Sequence, residues 1–155
     1  VKFDRPLHNG RFCIIRDPVE RYSSCQNWSK GKFKRSAISL ASDYLNWNSV
    51  TPTEELLHRM PQTMFIFDRK GQVQCDCVIS FNKLSLFNVP KINSRPHHHM
   101  TMPKEFEYLY RHDALLFSAA SKEKNVCYHP SLRVHEWKVS WSDKATKVEK
   151  LSNHS

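Results

Sequence analysis

Apolar positions in this chain change their spacing several times, and each change marks an element. Phe12 to Ile15 is a continuous apolar run with β-branched residues, which predicts a short strand buried on both faces and ending at the charge of Arg16. Asp17 then suits an N-cap, Pro18 the first helical position, where no amide hydrogen is needed, and Glu20 the third, closing a capping box. A helix is expected from Pro18 to about Ser29, broken by Ser29-Lys-Gly-Lys. Ala37, Leu40, Ala41, Tyr44 and Leu45 recur at helical spacing and predict a second helix. Thr51-Pro52-Thr53-Glu54-Glu55 starts a short third one that ends near Met60, before Pro61. Met64 to Phe67 and Val73 to Phe81 flank Lys70-Gly71 and predict a hairpin, with Val73, Cys75, Cys77, Ile79 and Phe81 on one face by alternation. Pro103 opens a last helix, with Phe106, Tyr110, Asp113 and Phe117 near one stripe. Residues 1–10, with Pro6, Asn9 and Gly10, read as an entry loop. Arg133, His135, Trp137, Val139 and Trp141 alternate as in a strand, although the run also tolerates helical spacing, and the tail beyond has few residues able to bury area.

The junction of the first strand and helix carries the most pointed chemistry. Arg16 stands at the carboxyl end of the strand and beside a helix N-terminus, where free amides and the helix dipole favour a negative group. A planar guanidinium there can hold a phosphate bidentately. The alternative is an ion pair with Asp17 or Glu20, and the residues alone leave the two readings equal. Ser24 follows on the helical face that Arg16 overlooks, where its hydroxyl can point back along that face or bond its own backbone. Arg21 reads as a supporting residue.

Composition narrows the partners. At 155 residues, with 39% hydrophobic content, the chain can build one domain with a modest core. Its 24 basic residues against 15 acidic ones give a formal charge of +9, which favours polyanions. There is no basic stripe or nucleic-acid-binding motif, so a sulfated or carboxylated glycan is the expected polyanion rather than nucleic acid. No apolar stretch spans a bilayer. A start at Val1 rather than Met suggests a processed or excised chain, and five cysteines with the sequons Asn27-Trp28-Ser29 and Asn153-His154-Ser155 are compatible with the secretory pathway, in the Golgi lumen or secreted. An odd cysteine number leaves at least one thiol free or paired outside the chain.

Arg16-Asp-Pro-Val-Glu-Arg-Tyr-Ser-Ser24 resembles the 3′-phosphate-binding motif of sulfotransferases that use 3′-phosphoadenosine 5′-phosphosulfate (PAPS), in the branch of Golgi carbohydrate sulfotransferases and their bacterial relatives. His58-Arg-Met-Pro61-Gln62 is similar to that branch's H-x-x-P-Q segment, and Asp68 to Gly71 followed by Asp76 to Leu84 to its D-x-x-G and F-E-x-L hairpin. Val89-Pro90-Lys-Ile-Asn93-Ser94 and Tyr110-Arg-His-Asp113-Ala-Leu-Leu-Phe117 complete the series, which covers residues 11 to 118 in family order. The resemblance implies an α/β domain over 1–120, the C-terminal part of a P-loop-type fold with a parallel sheet flanked by helices, and a basic extension over 121–155. It implies PAPS as co-substrate, held at its 3′-phosphate by Arg16 and Ser24 with Arg21 in support, and sulfuryl transfer to a hydroxyl, on a carbohydrate.

The family's 5′-phosphosulfate loop, a lysine-bearing phosphate cradle upstream of the RDP strand, has no counterpart: glycine stands only at 10, 31 and 71. Asn82 also occupies the position of the usual Glu. The chain alone is therefore expected to be inactive, completed by a missing N-terminal half or a partner chain; a non-catalytic, secreted, basic interaction protein is the alternative. Cys75 and Cys77 with His97, His98, His99, Cys127 and His129 invite a metal, but a C-x-C pair within an alternating apolar strand is expected to pack in the core, so no metal is assigned. The three consecutive histidines read first as a solvated loop and second as a basic lip near the cofactor. Asp113, on an apolar stripe, is expected to be a hydrogen-bonded structural carboxylate.

Overall fold

The computed structural model describes residues 11–68, 71–87 and 99–130, over which the chain is a mixed α/β fold with a two-stranded parallel sheet and helices packed on it. Strand β1 (Phe12–Ile15) pairs with β2 (Cys77–Ser80) in the register Phe12 to Cys77 and Ile15 to Ser80. On the other edge of β2, Val78 and Tyr128 form an antiparallel bridge, closed by N–H···O bonds of 2.8 Å in both directions. β2 is thus the central strand and is buried at every position. Among the described residues β1 is an edge strand, and its alternating exposure corrects the expectation of burial on both faces. Ile15 is buried and Cys13 half-buried against the core, while Phe12 and Ile14 alternate outward and are exposed at 52% and 43%.

The first three helices begin where local capping says they should. Helix α1 (Pro18–Ser29) has Asp17 as N-cap, its carboxylate accepting from the Val19 amide at 3.1 Å. Ser36 caps α2 (Ala37–Leu45), and Thr53 caps α3 (Glu54–Arg59). The end of short α3 is held from outside. Its terminal carbonyls, orphaned by the helix geometry, accept from Tyr44 Oη (Leu56, 2.8 Å), Arg21 Nη2 (His58, 2.9 Å) and Tyr110 Oη (Arg59, 2.6 Å). Burial pushes both phenols above the ordinary tyrosine range, so they remain donors. Around these contacts Tyr22, Leu40, Leu56, Met60, Phe106 and Leu109 close the first core cluster.

Three predicted elements come out differently. Met64 to Phe67 is not a hairpin strand: Thr63–Ile66 forms helix α4, because the Asp113 carboxylate accepts from the Gln62 and Thr63 amides at 2.7 and 2.9 Å and turns the chain there. The hairpin shrinks to one antiparallel bridge, Phe67 to Val73, near Gly71 at φ 82°. Val73 to Phe81 is likewise no single alternating strand; only Cys77–Ser80 is extended, and Phe81 is 41% exposed. The helix after Pro103 breaks at Tyr110 into α5 (Lys104–Leu109) and α6 (Arg111–Lys122). Asp113 is fully buried and hydrogen-bonded, as expected of a structural carboxylate.

A second core cluster lies where α6 packs across the sheet, with Ile15, Ile66, Phe67, Val78, Leu116 and Tyr128. Disulfides pin it. Cys13–Cys75 ties β1 to the approach to β2, and Cys77–Cys127 ties β2 to the segment after α6, with Cα separations of 5.9 and 5.1 Å. Cys75 and Cys77 are buried as half-cystines rather than as free thiols, and Cys25 is the free cysteine. The segment beyond residue 120, assigned to a separate extension by sequence, stays attached as far as Pro130: besides Cys127 and Tyr128, Lys83 Nζ donates to the Ala120, Glu123 and Asn125 carbonyls at 2.6–2.8 Å, capping the end of α6. Among the described residues no helix is long and apolar enough to cross a membrane. The entry loop, His97 and His98, Val89 to Ser94, the Arg133 to Trp141 alternation and the Asn153 sequon lie outside the described residues.

Candidate anion-binding site

Arg16 occupies the first position after β1, and its backbone is clamped. The Arg16 amide donates to Gln62 Oε1, and Gln62 Nε2 donates back to the Arg16 carbonyl, both at 2.8 Å. Gln62 is fixed in turn, because its own amide donates to the buried Asp113 carboxylate. The chain of contacts from α6 through the start of α4 to the end of β1 therefore sets where the guanidinium can lie. That group sits over the Phe81 ring, 4.7 Å from its centroid.

Among the described residues Arg16 forms no ion pair, and Nε is buried without a hydrogen-bond partner. Asp17 turns its carboxylate to α1 instead of to Arg16. A buried donor left unpaired costs roughly 1–3 kcal/mol, so an anion supplying an acceptor here would recover that loss. The start of α1, with its dipole, adjoins the same residue. Chemically the corner suits a phosphate or sulfate group: a half-buried guanidinium, stacked on one face and fixed at its backbone.

The other two predicted residues fall in different places. Ser24 is half-buried on the second turn of α1, and among the described residues no hydrogen bond joins its hydroxyl to Arg16. Arg21 points away from that corner, donating to the His58 carbonyl with its guanidinium 5.9 Å from the Tyr110 ring. It holds α1 on α3. The adjacent Ser23 carries a contact that sequence reasoning passed over: it is fully buried, and its Oγ accepts from the Met100 amide at 3.0 Å, fastening a distant loop to α1.

Four segments of the resemblance thus converge: the RDP turn, Gln62 of the P-Q pair, Phe81 and Asp113. Sequence reasoning had Gln62 only within the P-Q pair and Phe81 on a strand face, and their order along the family series was the signal that could have placed them beside Arg16. Both cysteines of the C-x-C pair are engaged in disulfides, and among the described residues no group of histidines, cysteines and carboxylates is arranged to hold a metal ion. Asn27 of the first sequon lies within α1, its Nδ2 donating to the Ser23 carbonyl at 2.8 Å. No family model, curated protein or solved structure matches this chain with significance.

Proposed function

We propose that this chain carries the 3′-phosphate-binding part of a PAPS-dependent sulfotransferase, built as part of a P-loop-type fold and acting on a carbohydrate hydroxyl. The observation that carries the reading is the unpaired, buried Nε of Arg16 at the carboxyl end of a parallel strand, with the backbone of that residue locked by Gln62. PAPS would bring the sulfuryl group. The residues of this chain would bind and orient: Arg16 takes the 3′-phosphate, Ser24 adds a hydroxyl donor from α1, and Arg21 keeps α1 seated on α3. The two disulfides support a secretory compartment, since such bonds persist in oxidising environments.

Transfer itself needs a 5′-phosphosulfate cradle, and these residues contain no Gly-rich loop to provide one, so the isolated chain is expected to bind nucleotide without turning over. Asn82 in place of Glu favours the second reading, a non-catalytic secreted protein that keeps the anion grip. Calorimetric titration with adenosine 3′,5′-bisphosphate tests the grip. Saturable binding is expected, weakened about tenfold by Gln62→Ala, which frees the Arg16 backbone, and less by Ser24→Ala. A folded wild-type protein that binds nothing at millimolar nucleotide would overturn it.

A further inference from the structure

A second recognition surface lies along α1, built from residues other than those that clamp Arg16. A cleft of about 390 Å³ opens between α1, the start of α2 and α5. That volume lies in the range of small-ligand sites. Phe33 forms one wall, and Gln26, Lys34 and Glu105 supply polar groups. Gln26 Nε2 donates to Tyr22 Oη at 3.2 Å, and Gln26 Oε1 is buried with no donor. The cleft therefore asks for a hydroxyl or amine hydrogen at that point.

Its charges are not equivalent. Arg35 pairs with Asp43 at 2.6 Å and Arg59 with Glu55 at 2.9 Å. Among the described residues Lys34 has no such partner and is exposed, which leaves it for an acidic group from outside. Next to Phe33, outside the lining, stands an aromatic platform. Trp28 is 57% exposed, yet its ring is held 4.5 Å from His58 and 6.0 Å from Phe33, the residue it shares with the cleft. An indole fixed in place but left uncovered is a ready surface for an amphipathic ring.

From these features we infer that the cleft and the Trp28 platform bind an acidic sugar residue of a glycan: its apolar ring face on Trp28, its hydroxyls donating to Gln26 Oε1 and Glu105, its carboxylate or sulfate at Lys34. A thymidine strand fits less well, because along its length it has no hydroxyls to donate to Gln26 Oε1 and Glu105. The inference does not rest on sulfuryl transfer or on nucleotide binding. It holds for either reading of the Arg16 corner.

The test is titration of the whole chain with a heparin-derived tetrasaccharide, a hyaluronan tetrasaccharide, neutral chitotetraose and a thymidine octanucleotide. The acidic saccharides are expected to bind at least ~10-fold more tightly than chitotetraose, and Trp28→Ala and Gln26→Leu, which leave the net charge unchanged, to weaken them ~10-fold each. Lys34→Ala should weaken them more than the charge-matched Lys122→Ala on α6. Trp28 is exposed, so its replacement leaves the fold intact, as circular dichroism will verify. Equal affinity in wild type and in the charge-neutral variants would mean diffuse attraction to a basic protein and would overturn the site. So would an octanucleotide bound as tightly through the same residues, or no saccharide binding at all.

Discussion

Arg16 and Arg59 are two stacked arginines with opposite situations. Arg59 is 3% exposed, lies 4.4 Å from the Phe106 centroid, pairs with Glu55 and donates to the Arg35 carbonyl. Arg16 is stacked at a similar distance on Phe81, but its backbone is satisfied while its guanidinium has no acidic partner among the described residues. A buried cation whose partners are all internal belongs to the fold, whereas a cation held in place and left without an acceptor is available to an outside anion. Residue type and stacking do not separate the two. Where the counter-charge comes from does.

Replacing each arginine by methionine turns that contrast into numbers. Arg59→Met takes the cation from the half-buried Glu55, leaving it the Arg35 amide, and removes a bond to the Arg35 carbonyl, so a loss of about 3 kcal/mol is expected in urea unfolding. Arg16→Met should stay within about 1 kcal/mol of wild type, since an unpaired donor disappears together with a modest ring contact. Comparable losses at both positions would erase the distinction. The regions around the two arginines also differ in how they are fastened, the sheet corner by two disulfides and the helical part by apolar packing and hydrogen bonds with no disulfide. Cys77→Ser with Cys127→Ser, opening a bond of sequence separation 50, should cost about 2–4 kcal/mol, far more than Cys25→Ser in the helical part.

The thiols sharpen the same contrast at smaller scale. Native protein should label at one cysteine, Cys25, and slowly, because burial pushes its thiol above the ordinary range. Less thiolate is then present at pH 8 than for a free cysteine, and the labelling rate should keep climbing with pH beyond the point where an ordinary thiol levels off. Rapid labelling of Cys13, Cys75 and Cys77 without reductant would contradict both disulfides.

Much of the helical part was legible in the sequence because its signals are local. Asp17, Ser36 and Thr53 stand immediately before the helices they cap, and apolar spacing marks Ala37, Leu40, Ala41 and Tyr44 as the buried face of α2. The sheet corner was less legible because its determinants are remote. Met64 and Ile66 look like a strand until Asp113, fifty residues away, takes the amides that start α4. The Cys13–Cys75 pairing follows from a parallel register that no local pattern reveals. At the candidate site, Arg16 was visible as a charge ending an apolar run, whereas the turn of Arg21 toward the His58 carbonyl was not. Gln62, Phe81 and Ser23 gained their roles only from the tertiary arrangement.

The proposed role of Arg16, holding the 3′-phosphate of a nucleotide, is probed by comparing adenosine 3′,5′-bisphosphate with adenosine 5′-phosphate, because the two differ only in that group. Wild type should prefer the bisphosphate, and Arg16→Met should bind it more weakly by about 1.5–3 kcal/mol, roughly 10- to 150-fold, while binding of the 5′-phosphate stays nearly unchanged. The two nucleotides binding wild type alike, or the preference surviving in a folded Arg16→Met protein, would contradict the account.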